Sequence, residues 1–225
     1  MKRLFELINK SIFEDLLGGK KVSIPVQQEL PIITISRESG SGGRPIAYLV
    51  AKKLGHPWKV FHKEIIEEMA KETKLQKDLI KEIDEHRIPF IEEVVADFFG
   101  KKYVTLSNYY KHLTKIISAI GHRGYAVIVG RGANYLLPHA LKVRMICEMQ
   151  QRINWIMEYE KMTKAQAIKR IEESDQKRYD FEKALYQHDI RKAHHYDLVI
   201  RTGPRLGIEA AADLIVFAAK KRFKL

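Results

Sequence analysis

Apolar positions change their period several times along the chain. Leu4, Phe5, Leu7, Ile8, Ile12, Phe13, Leu16 and Leu17 recur at helical spacing and stop at Gly18-Gly19, so residues 3 to 17 read as a short amphipathic helix. Residues 18 to 30 read as a connector. From Pro31 the pattern becomes strand, tight turn and helix: Ile32-Ile33-Thr34-Ile35 is a nearly continuous apolar run, a glycine-rich turn follows, and Ile46, Ala47, Leu49, Val50 and Leu54 return at helical spacing. Val60-Phe61 suggests a second, short strand. Residues 62 to 122 read as mostly helical, with breaks near Pro89, Gly100 and Gly121. Strand patterns reappear at 125 to 129, 141 to 147 and 196 to 200, with helical stretches between them.

Short apolar strands alternating with helices predict a parallel sheet covered on both faces, because a strand buried on both sides reads as an apolar run and not as an alternation. The expected layout is a doubly wound α/β sheet of about five strands. In such a sheet ligands sit beyond the carboxyl ends of the strands, which directs attention to the residues just after each one.

Composition changes this picture in two ways. Lys and Arg outnumber Asp and Glu by 40 to 28, a formal charge of +12, so an anionic partner is expected. The excess is interleaved with acids, so the phosphates of a small ligand explain it as well as a polynucleotide does, and the small ligand is the reading adopted here. The single cysteine, Cys147, forms no intramolecular disulfide, and no Cys/His set has zinc-ligand spacing, which suits a reducing cytoplasm. Glu6, Lys10, Glu14 and Asp15 interrupt the N-terminal apolar positions, so no secretion-signal core is expected there, and no run approaches a membrane span. The helix at 3 to 17 is expected to dock on its own domain or on a second copy of the chain, its polar face being of mixed sign.

The turn Ser36-Arg37-Glu38-Ser39-Gly40-Ser41-Gly42-Gly43-Arg44-Pro45 lies between an apolar strand and an amphipathic helix. Gly40, Gly42 and Gly43 allow backbone conformations in which successive N–H groups converge on one anion, and Pro45 suits a first helical turn. The helix dipole adds attraction and Arg44 adds a permanent charge. Ser39, Gly40, Ser41, Gly42, Gly43 and Arg44 are therefore the expected phosphate-binding residues. A plain βα turn is the alternative.

The turn resembles the phosphate loop of P-loop kinases, among them the cytidylate kinases, with Ser39-Gly40-Ser41-Gly42 in register. Arg37 replaces the leading glycine of that pattern, Gly43 its lysine and Pro45 its magnesium-linked hydroxyl, so G-x-x-x-x-G-K-[ST] is not met. A fuller match is the cytidylate kinase-like family, typified by Ser-Arg-Glu-x-Gly-Ser-Gly-Gly-Arg, which Ser36 to Arg44 resemble. Val127 to Ala133, with Gly130-Arg131-Gly132, is similar to its second motif. Ser174-Asp175-x-x-Arg178 is similar to the Asp-x-x-Arg of the kinase lid, and Tyr196 to Ile200 followed by Gly207-Ile208-Glu209 to its closing strand and helix. The resemblance covers residues 31 to about 218. It implies a P-loop kinase-like domain over 31–225 behind an extension at 1–30, with acceptor-side helices at about 62–122 and a lid at about 160–192.

It also implies roles. Arg131 and Gly132 follow a buried strand and are expected at the acceptor, Gly132 standing where the cytidylate kinases have an aspartate; structural pairing of Arg131 with an acid is the alternative. Arg178 is the main lid arginine, expected to stabilise the moving phosphoryl group, with Arg170 second and Asp175 orienting Arg178. Arg152 resembles the position from which related kinases pack an arginine on the donor base, with a plain surface position as the alternative. Arg44 is expected to stand in for the absent lysine, with a side chain that points to solvent or pairs with an acid such as Glu38 as the alternative. Glu64, Glu67, Glu68, Glu82, Asp84, Glu85, His86 and Arg87 are acceptor-side candidates that one sequence does not rank. His194-His195 has no partner at metal-ligand spacing, and no protein metal site is expected.

The expected reaction moves the γ-phosphoryl group of ATP, with Mg²⁺, to a nucleoside monophosphate, CMP or dCMP foremost. A non-catalytic nucleotide-binding module, or a kinase for another small acceptor, is the rival reading, and the replaced lysine and hydroxyl residue are its evidence.

Overall fold

The computed structural model describes residues 30–63, 108–186 and 188–225. The helix expected at 3 to 17, the connector up to residue 29 and the acceptor-side candidates from Glu64 to Arg87 lie outside the described residues.

Five strands form one parallel sheet: β1 (Ile32–Arg37), β2 (Lys59–Phe61), β3 (Ala126–Val129), β4 (Leu141–Cys147) and β5 (Leu198–Thr202), in the spatial order β2-β3-β1-β4-β5. The described helices are α1 (Gly43–Leu54), α2 (Asn108–Arg123), α3 (Ala133–Leu136), α4 (Met149–Glu160), α5 (Lys164–Tyr186) and α6 (Ile208–Phe223). β1 is central, paired with β3 on one side and β4 on the other. The chain passes from β1 to the edge strand β2, returns inward to β3, and then crosses to β4 and β5 on the other side of β1, so the crevice at the carboxyl end of β1 is the topological switch point where such sheets take ligands.

The two sheet faces are separately filled. Ile33, Ile35, Val127, Val129 and Val143 pack under α1 and α6, whereas Ile32, Ala126 and Ile128 pack against α2 and α3. Both faces being covered, β1 and β3 are buried almost throughout, which is why they read as apolar runs. The α4 and α5 pair carries a small core of its own, Ile153, Ile156, Ala167 and Ile171. Among the described residues no helix is long and apolar enough to cross a membrane.

Two boundaries differ from expectation. The last strand runs from Leu198 to Thr202, not from 196 to 200. Tyr196 instead anchors its ring beside the loop, its hydroxyl donating to Ile190 O at 2.9 Å, and Thr202 extends the strand by donating its hydroxyl to Ser41 O at 2.9 Å. Gly121 does not break α2, which continues to Arg123. The glycine has a packing role, since a Cβ there would run into Leu137.

Candidate functional site

The glycine-rich turn closes on itself before it faces a ligand. The Ser41 hydroxyl donates to Glu38 O at 2.9 Å, and its N–H approaches the same carbonyl at 3.3 Å. Ser41 is fully buried, so its side chain holds the loop's shape and does not present a hydroxyl to the crevice. Glu38 pins the turn to β4, its N–H donating to Met145 O at 3.0 Å and its carboxylate accepting from Cys147 N–H at 2.9 Å. Gly40 and Gly42 both have φ of 79°, a left-handed conformation that side chains disfavour. Gly42 caps α1 without a side-chain hydrogen bond, and the first turn of α1 holds no acid. The leading N–H groups of the helix and its positive dipole end are therefore presented at the carboxyl end of β1, as an anion site requires.

The second motif has the same character. Gly130, Arg131 and Gly132 have φ of 77°, 59° and 69°, and a left-handed arginine directly after a central strand is a strained conformation of the kind that collects at binding sites. Tyr186 explains the glycine at 132: a Cβ there would run into its ring, and its hydroxyl donates to Arg131 O at 3.2 Å. The Arg131 guanidinium lies 5.0 Å from the centroid of the Phe181 ring.

A cleft of about 370 Å³ opens between the loop, Arg131 and α5, with Arg37, Lys63, Arg131, Arg170, Lys177 and Arg178 on its walls. Arg170 and Arg178 thus line one cleft. Asp175 does orient Arg178, accepting from its Nη1 at 2.9 Å, and the same carboxylate oxygen accepts the Ser39 N–H at 2.7 Å. Burial lowers the Arg178 pKa, and the charge of Asp175 opposes that shift. Asp175 therefore ties α5 to the glycine-rich turn.

Arg152 and Arg44 are placed differently from expectation. Arg152 is buried; its Nε donates to Ser39 O at 2.6 Å, its Nη2 pairs with Asp175 and its Nη1 lies 3.7 Å from Glu38. Its guanidinium is committed to clamping the loop, so its plane is not offered to a donor base. A Cβ at Gly40 would stand 3.1 Å from the Arg152 backbone, which is how closely the two elements approach. Arg44 is exposed on the outer side of α1, where its Nη2 donates to His62 Nε2 at 3.2 Å. That partner directly follows β2, and Arg44 lies off the inward face of α1, which is taken by Gly43, Ile46, Ala47 and Val50.

Two residues that the sequence reading did not single out belong to this site. Arg37 is the first. Glu182 is the second: its side chain lines the cleft, the residue is 4 % exposed, and its Oε2 has no hydrogen-bond partner among the described residues. Burial raises its pKa from 4.5 to about 7, with Arg144, Arg37 and Arg178 pulling the other way. A carboxyl whose folded pKa is raised holds its proton where the unfolded chain has lost it, so stability falls as pH rises from about 4.5 to about 7 and is flat above. Glu182→Gln is expected to remove that slope, gaining on the order of 3 kcal/mol relative to wild type between pH 5 and pH 8. Urea unfolding at the two pH values checks this; parallel curves for the two proteins would contradict it.

With this geometry in place, comparison with known proteins is informative. The model of the cytidylate kinase-like family matches residues 32–204. No match is found among the curated proteins. Of solved structures, an uncharacterized protein from Eubacterium ventriosum is 21% identical, with a TM-score of 0.67 over 85% of this chain and 98% of that one, a likeness of fold. TT1252 from Thermus thermophilus is 17% identical with a TM-score of 0.46, covering 84% of this chain and 98% of that one. A shikimate kinase from Acinetobacter baumannii, in complex with shikimate, is 17% identical with a TM-score of 0.47, covering 86% and 95%.

Proposed function

The chain belongs to the cytidylate kinase-like family, and from that premise we propose that it transfers the γ-phosphoryl group of ATP to a nucleoside monophosphate, CMP or dCMP foremost. The observation that supports the proposal is a cleft walled by Arg37, Arg131 and the arginines of α5, beside a glycine turn that leads into the uncapped N-terminus of α1. The turn is the candidate anion site for the donor, and Arg131 with the α5 arginines the candidate site for the acceptor. A donor triphosphate and an acceptor monophosphate each need such a site, and the moving phosphoryl group needs cations between them. A phosphate-oxygen acceptor needs no base to remove a proton, so positioning and electrostatics are the whole of the protein's task.

In this reading the N–H groups from Gly40 to Arg44 hold the donor phosphates, Arg131 holds the acceptor, and Arg178, aimed by Asp175, meets the charge that spreads in the transition state. Arg170 closes the outer wall. Magnesium neutralises donor phosphate charge when it is bound. In this reading Pro45 offers no hydroxyl where the phosphate-loop pattern has its magnesium-linked residue. The ion therefore enters with the donor, as MgATP. A reducing cytoplasmic setting suits the buried, unpaired Cys147.

A binding module without turnover is the second reading, favoured by Gly43 and Pro45 in the places of the loop's lysine and hydroxyl residue. The two are separated by turnover of MgATP against a panel of nucleoside monophosphates. Within the kinase reading, Arg131→Ala is expected to raise the acceptor's KM by roughly tenfold or more, the loss of one charge-assisted contact, with kcat changed far less. A fall in kcat at unchanged KM would move Arg131 from the acceptor to the transferred group.

A further inference from the structure

In the phosphate-loop pattern a glycine opens the loop and a lysine closes it; here Arg37 stands in the first register and Gly43 in the second. The cation and the glycine have changed places, and the structure gives the exchange a geometry. Arg37 ends β1 and shares its strand parity with Ile33 and Ile35, so its side chain leaves the sheet on the face that carries α1. A Cβ at Gly43 would stand 2.8 Å from the Arg37 Cβ and 2.9 Å from its Cγ, closer than side chains pack. The stem of Arg37 thus fills the space where a side chain at 43 would begin. At its other end, a Cβ at Gly130 would run into the Arg37 guanidinium. Two glycines from separate parts of the chain leave room for one arginine, and beyond them its charge enters the cleft that Arg131 and Arg178 line.

We propose that Arg37 supplies, from the start of the loop, the cation that phosphate loops carry at their end, and that its guanidinium contacts the β and γ phosphates of the donor. This rests on the reading of the turn as the donor site. A planar fork approaching from the strand side grips two phosphate oxygens at once, where a lysine would offer a single point charge. The arrangement answers the main objection to catalysis, the bare Gly43, without calling on Arg44, whose side chain is hydrogen-bonded to His62.

The test titrates wild type, Arg37→Gln, Arg37→Lys and the exchanged variant Arg37→Gly/Gly43→Lys with MgATP and MgADP, and measures turnover with CMP, with thermal melts to verify folding. Arg37→Gln is expected to lower kcat about 10²-fold and to erase the preference for ATP over ADP. Arg37→Lys retains part of both. The exchanged variant, which restores the glycine-first, lysine-last order, is expected to recover at least about tenfold over Arg37→Gln. A purely packing role for Arg37 would give no such recovery and no change in the ATP-to-ADP ratio, and either result in folded protein overturns the proposal. Should the exchanged variant not fold, equal losses in Arg37→Lys and Arg37→Gln overturn it. If wild type binds MgATP but phosphorylates no nucleoside monophosphate, the acceptor reading fails while the ATP-to-ADP ratios still decide the role of Arg37. If wild type binds neither nucleotide, both readings fall.

Discussion

Gly42→Val is expected to leave the sheet folded and to weaken MgATP binding by more than about 10²-fold, the equivalent of losing two or more charge-assisted hydrogen bonds from backbone amides. Gly42 has φ of 79°, which a β-branched residue resists at a cost of about 1 to 3 kcal/mol. The backbone would relieve that strain by rotating the peptide units on either side, and those units carry the amides that converge on the phosphates. A side chain at 42 would also run into the terminal methyl of Ile208, the first residue of α6. That methyl is the far end of a flexible side chain, so the collision is resolved locally and the core of α1, α6 and the sheet survives. Calorimetric titration with MgATP, beside a thermal melt, reads both halves of the result. Unchanged affinity in a folded variant would remove the turn from the donor site.

Arg178→Ala is expected to lower kcat by about 10³-fold with a much smaller change in the KM of either substrate, as for an arginine whose contact strengthens only as charge spreads over the moving phosphoryl group. Arg178 sits on α5 facing the cleft, desolvated and aimed by Asp175 at 2.9 Å. Removing it leaves Asp175 still bound to the Ser39 N–H and paired with Arg152, so the tie between α5 and the loop persists and the loss is one of charge and not of shape. Steady-state kinetics in both substrates separates the two. A rise in KM at constant kcat would make Arg178 a binding residue only.

The sheet was legible because β1 and β3 are buried on both faces and so announce themselves as apolar runs. The glycine-rich turn was legible because its glycines stand between such a run and a helical period. The places of the two arginines that flank the turn were legible too, in the periods of the helix and the strand. Helical spacing in α1 turns Gly43, Ile46, Ala47 and Val50 inward, so Arg44 lies off that stripe with Tyr48, and both side chains reach His62. Strand parity sets Arg37 with Ile33 and Ile35, on the side of α1. In α5 the inward stripe begins as Ala167 and Ile171 and continues as Asp175, Arg178, Glu182 and Tyr186, a line of charges where apolar residues would be expected to go on. That continuation marks Glu182 as buried, yet in a segment so dense in charge it reads as a solvated face. Two features had no local signal. The burial of Arg152 depends on Ser39, Glu38 and Asp175, which only the folded chain brings together, and Gly132 is dictated by the ring of Tyr186.

The most direct test of the phosphoryl-transfer reading is to incubate wild-type protein with MgATP and CMP and to resolve the nucleotides at successive times. CDP and ADP are expected to appear in equal amounts, with no ADP formed at that rate when CMP is left out. MgATP bound at the loop, with no diphosphate formed from CMP, dCMP or any other nucleoside monophosphate, would contradict it.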